Sequence, residues 1–465
     1  MPRRNAGAND RGKHMANDAI AAQRQTEQER LRAIRLTATA SLIGTTIEWY
    51  DFILYTSLAG LIFNKLFFPA GNALVSLLLA YATFAVGFLT RPIGGAFFGH
   101  FGDRIGRKPL LVLTLTMMGA VTFLIGLVPT YASIGIAAPL IIVVLRLIQG
   151  FAMGGEWGGA VLMAFEYAPP DRRGFYASFP QIGFALGLCL STGAITLLSG
   201  TLSNEAFMAW GWRCAFLVSI LLLLFGLFIR LRLLETPEFS RIRDGYHVSK
   251  LPLAEVARDY SGNILLGWLA RMGEGAVFTV YTLYMFSYLI AIVHLPRTLV
   301  LASVTAAAFV LIFTTPLASA WSDRVGRRRL FAWAALANGA AAFPLLWMLQ
   351  SGSAALAAIA IVISIGLLWA PVYGPEAALF CELFDTRVRY TGVSLVYQIG
   401  AIIFLAPIPI FAALLVAYDG NQPWWLAAYI VVACCVSALS AMLMRRTFPV
   451  PALAVAPATV DIGRG

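Results

Sequence analysis

The chain has 465 residues, of which 59% are apolar and only 12% charged. The charged share is about half that of an ordinary soluble domain, and mean hydropathy is +0.77. These values exclude a soluble globular enzyme, a disordered chain and a nucleic-acid binder. The net charge of +11 does not restore the last of these, because the basic residues sit in short clusters between long apolar runs. At roughly 20 apolar residues per crossing, there is room for about twelve membrane helices and no sizeable soluble domain.

The first 36 residues are polar and carry eight Lys/Arg. No short apolar core with a small-residue cleavage site follows, so no cleavable signal is expected. Residues 16–35 suit either an amphipathic surface helix or a disordered arm. Twelve apolar spans come next: 37–63, 73–98, 110–129, 136–167, 174–199, 211–234, 261–292, 298–320, 330–350, 354–381, 390–417 and 423–444. They are continuous rather than alternating in period two. This predicts helices, which satisfy their own backbone in lipid. Basic residues crowd the arm, the even-to-odd loops and the C-terminus, while the opposite loops carry only Lys65, Arg213 and Arg297. The positive-inside rule then places both termini in the cytoplasm. The cysteines, Cys189, Cys214, Cys381, Cys434 and Cys435, lack metal-ligand spacing and read as small buried hydrophobes.

The chain repeats itself. The turn at 102–107, GDRIGR, returns at 322–327 as SDRVGR, an offset of 220. Glu166 and Arg173 return as Glu382 and Arg389, and Gln181-Ile182-Gly183 as Gln398-Ile399-Gly400. Glu48, Phe52 and Tyr55 return as Glu274, Phe278 and Tyr281. The expected organisation is an all-α membrane protein of two homologous six-helix bundles, with a site between them. Its parts are an arm (1–36), a first bundle (37–234), a cytoplasmic loop (235–260), a second bundle (261–446) and a tail (447–465).

Three stretches carry a family signature. GHFGDRIGRKPLL at 99–111 resembles the turn between helices 2 and 3 of the major facilitator superfamily. EWYDF at 48–52, RPIGG at 91–95, and RLIQG at 146–150 followed by GGEWGG at 154–159 are similar to its metabolite:proton symporter family. That family includes carriers of shikimate, α-ketoglutarate, citrate, and proline or betaine. Helices 1, 2 and 4 are most similar to the shikimate type. Helix 11 departs from it: Pro407 and Pro409 stand where a glycine pair and one proline are usual, which puts the substrate-facing shape of that helix in question.

The resemblance implies a cytoplasmic gate that forms in the outward-open state and breaks in the inward-open one. Its residues would be Gly99, Asp103, Arg104, Gly106 and Arg107, with Asp323, Arg324 and Arg327 in the repeat. An acid at such a turn can cap a facing helix N-terminus. Glu166, Arg173, Glu382 and Arg389 would be partners across the bundle, and Arg91, near the end of helix 2, is assigned to the same gate.

Ionisable residues inside spans cost roughly 2.5–3.5 kcal/mol each at the bilayer centre, so they are expected to pair or to work. They are Glu48, Asp51, Arg91, Arg146, Glu156, Arg271, Glu274 and Glu376. Glu48 and Asp51 are i, i+3 on one helix face, a pair suited to holding a proton. Arg146 could discharge such a carboxylate, and Glu156 lies close to the same face, so these four are assigned to proton coupling. Arg271 and Glu274 are again i, i+3, and Arg271 could hold a substrate carboxylate. Tyr50, Trp157, Gln181, Tyr281, Tyr284, Tyr373 and Gln398 could complete a pocket. The Gly-xxx-Gly pairs 95/99, 150/154, 155/159 and 183/187 suit close helix packing.

The expected function is secondary transport: import of a small organic acid by proton symport through alternating access, in the bacterial inner membrane. A zwitterion carrier or a sugar-like uniporter are the alternatives. A drug antiporter is disfavoured because PQIGFALGLCLSTG at 180–193 lacks a Gly-Pro-rich signature. A sensor would need an output domain, and an enzyme a constellation that is not found. No cofactor, metal or nucleic acid is expected. The partners are a small carboxylate, protons and the bilayer, and the chain is read as functional as a monomer.

Overall fold

The computed structural model describes residues 31–32, 34–55, 58, 62–68, 79, 83, 86–231 and 251–445. Most of the expected arm, the first part of the central loop and the tail lie outside them, as does most of the span expected before residue 86. Within the described residues the regular structure is helical, without strands.

Twelve helical segments match the expected spans. They are α1 (34–55), α2 (Arg91–Ile105), α3 (Arg107–Leu127), α4 (Ala137–Tyr167), α5 (Phe179–Thr201) and α6 (Phe207–Leu231). The second set is α7 (Ser261–Thr279, continuing to Ala291), α8 (Arg297–Val325), α9 (Arg327–Gln350), α10 (Ala354–Cys381), α11 (Arg389–Phe404, then Ile408–Tyr418) and α12 (Trp424–Leu443). Eight of them are long and apolar enough to cross a bilayer. The other four, α1, α2, α7 and α11, adjoin undescribed residues, carry buried charges or are interrupted. Large apolar side chains such as Leu221, Leu317, Trp333 and Leu414 stand exposed on the outside, as a lipid-facing surface requires. Cys381 and Cys434 are buried as expected, but Cys435 faces outward.

The repeat appears in the packing. α2 lies against α11, and α8 lies against α5, and these contacts between the sets exchange under the repeat. Small residues make the helix crossings close. A Cβ on Gly99 would come within 2.8 Å of the Thr391 Cα, and one on Gly187 within 2.6 Å of the Trp49 Cβ. α7 contains a π-turn at Val280–Tyr284 and α10 one at Val362–Leu368, a feature frequent at functional positions. α11 breaks after Phe404, and Pro407 caps its second segment. The unusual prolines therefore shape the far end of α11, while Tyr397 and Gln398 lie before the break.

Candidate functional site

At the end bearing the basic turns, the two sets are joined by two matching caps. Asp103, closing α2, accepts hydrogen bonds from the Tyr390 and Thr391 backbone N–H groups at 3.2 and 2.9 Å, at the start of α11. Asp323, closing α8, accepts from the Gly174 and Phe175 N–H groups at 2.8 and 2.9 Å, ahead of α5. Each carboxylate meets the positive end of a helix from the other set. The turns that aim them depend on Gly106 and Gly326, at φ 109° and 95°, a region that favours glycine. Ion pairs reinforce the caps. Glu166 lies 3.4 Å from both Arg107 and Arg389, so it ties its own set to the other. Arg107 also donates to the Thr386 carbonyl at 3.2 Å. Arg327 pairs with Asp323 at 2.7 Å and with Glu382.

These contacts make one prediction. Asp103→Asn keeps the shape but removes the charge facing two N–H donors. Charge-assisted hydrogen bonds contribute roughly 1.5–3 kcal/mol, so the closed state should lose at least about tenfold in population. The check is the rate at which a water-soluble thiol reagent reaches a cysteine placed at Ser394, with the five native cysteines replaced. An unchanged rate would mean that the cap does not hold this end shut.

Deeper between the sets lies a cluster of buried charges. In the first set, Arg230 on α6 donates to both carboxyl oxygens of Glu156 on α4, one of them at 2.9 Å, and Thr114 donates to the same carboxylate at 2.6 Å. The guanidinium occupies the notch left by Gly44 on α1, where a Cβ would collide with it. Glu48 faces Glu156, Arg91 and Arg230, yet its Oε2 is buried without a hydrogen-bond partner. Asp51 is fully buried beside Thr122, and neither of its carboxyl oxygens has a hydrogen-bond partner. Arg91 lies against the Phe52 and Phe88 rings, at 4.5 and 4.0 Å. Arg146 sits 3.9 Å from the Tyr55 ring centroid and donates to Gln149 at 2.5 Å.

In the second set, Arg271 on α7 bonds Glu376 on α10 and lies 3.4 Å from Glu274, one turn along α7. Its guanidinium also lies 4.0 Å from the Tyr397 ring centroid. Tyr397, on α11, stacks on Trp157 of α4 at 3.5 Å, which joins the two clusters across the interface. Trp157 donates to Gln181 at 2.8 Å, and Gln181 donates on to the Tyr373 carbonyl at 3.0 Å. Gln398 reaches the opposite way, to the Gly154 carbonyl at 3.2 Å. Each repeat-related glutamine therefore crosses to the other set.

The major facilitator superfamily model matches residues 38–405. The chain belongs to this superfamily. It is 37% identical over 417 residues to the shikimate transporter of Escherichia coli (strain K12), covering 89% of this chain and 95% of that one. It is 40% identical to the inner membrane metabolite transport protein YhjE of the same strain, covering 80% and 86%. A proline/betaine transporter of Salmonella typhimurium (strain LT2) is 32% identical, covering 92% and 87%. Among solved structures, the proton:xylose symporter XylE bound to 6-bromo-6-deoxy-D-glucose superposes with a TM-score of 0.72 at 17% identity, covering 89% of this chain and 96% of that one. That likeness shows the fold. The protein is a multi-pass membrane transporter and not an enzyme.

Within this major facilitator fold, several residues stand elsewhere than the sequence suggested. Arg91 opens the described α2, twelve residues before Asp103, or about 18 Å along a helix. It belongs to the central cluster, not the gate, because the α2 helix runs further toward the basic turn than the apolar run suggests. Arg104 and Arg324 are exposed beside the gate. On a helix, the residue after a buried aspartate points about 100° away, whereas Arg107 and Arg327 open the next helix, past the glycine turn, and pair back with Asp103 and Asp323. Arg173 does stay at that end, over the Phe165 ring at 4.7 Å, which Arg389 also faces. Glu156 is not a lone carboxylate but is saturated by Arg230 and Thr114. Tyr50 points away from the interface and donates to the Ala215 carbonyl at 2.8 Å. Tyr281 lies in the apolar core of the second set beside Cys434, with Tyr284 packed against that core.

Three participants escaped the sequence reading. Arg230, near the end of the 211–234 span, was given no role. Tyr397 was overshadowed by its neighbour Gln398. Glu376 was recognised as buried but given no role, although it comes 220 residues after Glu156, the offset of the two basic turns.

Proposed function

We propose that this transporter imports a small organic acid together with protons, across the cell inner membrane, by alternating access of its two six-helix halves. The halves are residues 37–234 and 261–446, joined by a cytoplasmic loop, with both termini cytoplasmic. The protein works as a monomer.

The observation that carries the proton part is Asp51. A carboxyl fully buried in a membrane helix, with both oxygens lacking a hydrogen-bond partner, is costly to keep and implies use. Glu48, one turn away, offers a second oxygen without a partner and faces Arg91. These α1 carboxylates are the proton site of the first half, and Arg91 and Arg146 set its field. Glu156 and Arg230 hold α4 to α6 behind it.

The substrate is recognised mainly by the second half. Arg271 takes its carboxylate, and Trp157, Gln181, Tyr373, Tyr397 and Gln398 surround the rest. The gate residues form the closed cytoplasmic end of an outward-facing state. One proton entering down 100 mV gains about 2.3 kcal/mol, which sustains roughly a 50-fold gradient when the coupled charge moves with it. A monoanion with one proton is electroneutral and draws on the pH gradient alone.

A zwitterion is the second reading. The two glutamates around Arg271 leave a surplus negative charge beside the Trp157–Tyr397 stack, a setting that suits a cationic group. The proline/betaine relative supports it.

The test uses proteoliposomes with an internal pH dye and a panel of shikimate, α-ketoglutarate, citrate, lactate, benzoate, proline and betaine. A carboxylate should acidify the lumen, and Glu48→Gln should reduce that acidification while leaving counterflow. Acidification by proline or betaine alone selects the zwitterion. Counterflow without acidification removes proton coupling and leaves a uniporter.

A further inference from the structure

We propose that Glu274 is a second proton-binding residue, which takes up a proton when the substrate carboxylate replaces it on Arg271. This rests on the reading that a carboxylate substrate binds Arg271, and it adds a coupling site in the second half.

Among the described residues, the central cluster of the second half has one guanidinium for two carboxylates. Arg271, Glu274 and Glu376 are all at most 3% exposed, and the three together carry one net negative charge when ionised. The first half differs, because Arg230 bonds both oxygens of Glu156. The carboxylates around Arg271 are not held equally. Glu376 accepts a hydrogen bond from Nη1, whereas Glu274 lies 3.4 Å from Nη2 and its Oε2 has no hydrogen-bond partner. An incoming carboxylate displaces the weaker ligand, which is Glu274.

Charge balance then decides the protonation state of Glu274. If Glu274 left Arg271 ionised, the buried group would carry two net negative charges once the substrate arrived. If Glu274 takes a proton from the open side, the total stays at one. Arg271 keeps one bond to Glu376 and gains one to the substrate, and the proton forms an O–H bond on the freed carboxyl. Among the described residues no other cation is at hand. The ionisable groups facing Glu274 are Arg271 on its own helix, Glu376 and Tyr373 on α10, Tyr397 on α11 and Cys434 on α12. α9 contributes the neutral Asn338, across a gap with no room for water. Of these groups only Arg271 is a cation, and the substrate has taken its place beside it. A buried carboxylate without a partner binds a proton rather than remain charged.

The repeat supports the assignment, since Glu274 stands in the second half where Glu48 stands in the first. A carrier with both sites would move two protons with each carboxylate, so a monoanion would enter with net positive charge.

The test is calorimetry of shikimate binding to the purified full-length chain, in two buffers of different ionisation enthalpy, with benzoate and lactate as further carboxylates. The heat difference counts protons taken up per ligand. Glu274→Gln should take up one proton fewer than the unmodified protein. Its Kd should also lose the tenfold rise per pH unit that obligatory proton uptake produces above the titration of the site. Equal uptake by both proteins overturns the proposal and leaves carboxylate symport standing. Should Glu274→Gln fail to fold, the double variant Glu48→Gln with Asp51→Asn decides: continued uptake of a proton on binding supports the site, and zero uptake overturns it. If none of the three carboxylates binds the unmodified protein, the substrate reading falls and this proposal with it.

Discussion

Arg271→Ala is expected to abolish substrate accumulation and to weaken the second half of the molecule. The substitution leaves Glu274 and Glu376 buried together with no cation between them. Removing one partner of a buried ion pair costs roughly 3–5 kcal/mol, most of it from the charge left behind. Transport should fall by more than about 100-fold, which corresponds to roughly 3 kcal/mol. Arg271→Lys should recover part of the stability and little of the transport. An ammonium supplies a point charge but not the planar fork that serves two carboxylates at once. The measurements are thermal unfolding of the purified protein and uptake in proteoliposomes. A stable, inactive Arg271→Ala protein would show that the guanidinium serves substrate alone. A fully active one would remove Arg271 from the substrate site.

The fold was legible because it depends on crude properties of the chain. Twelve apolar runs and a repeated basic turn are one-dimensional features, and lipid leaves helices as the way to satisfy the backbone. The turns that join the two sets were legible for a similar reason, since Asp103 and Asp323 are set by a local turn whose glycine is visible in sequence. The central site was harder, because it is made of distances between helices. Glu156 and Arg230 are 74 residues apart, and nothing local shows that an arginine at the end of an apolar run turns inward to meet a glutamate. Trp157 and Tyr397 come from different halves, so their stacking depends on how the halves dock. Helix faces were readable only in part. Tyr50 and Asp51 are neighbours, yet Tyr50 bonds the α6 backbone while the Asp51 carboxyl has no hydrogen-bond partner. Spacing gives relative directions on a helix but not which face meets the interface.

Arg230→Ala should be among the most destabilising single changes in the first half, by roughly 3–5 kcal/mol, because it strands the Glu156 carboxylate. The guanidinium also bonds the Leu111 carbonyl and fills the notch above Gly44, so a cavity adds to the loss. The informative experiment is the double variant Glu156→Gln with Arg230→Met. It removes both charges and keeps most of the volume, and such replacements are often neutral or stabilising. The double variant should therefore unfold close to the unmodified protein, well above Arg230→Ala alone. It also separates two roles for Glu156. If the pair only holds α4 against α6, the double variant still accumulates substrate with acidification of the lumen. If Glu156 exchanges protons with the α1 carboxylates during transport, the double variant folds but carries substrate without protons. The saturation of Glu156 by Arg230 and Thr114 favours the first outcome. A carboxylate that accepts three hydrogen bonds, two of them from a guanidinium, must give up part of that pairing to take a proton. Asp51, whose oxygens have no hydrogen-bond partner, gives up none. Proton exchange is thus assigned to the acids with unused oxygens, and cohesion of the first half to the acid that is fully bonded.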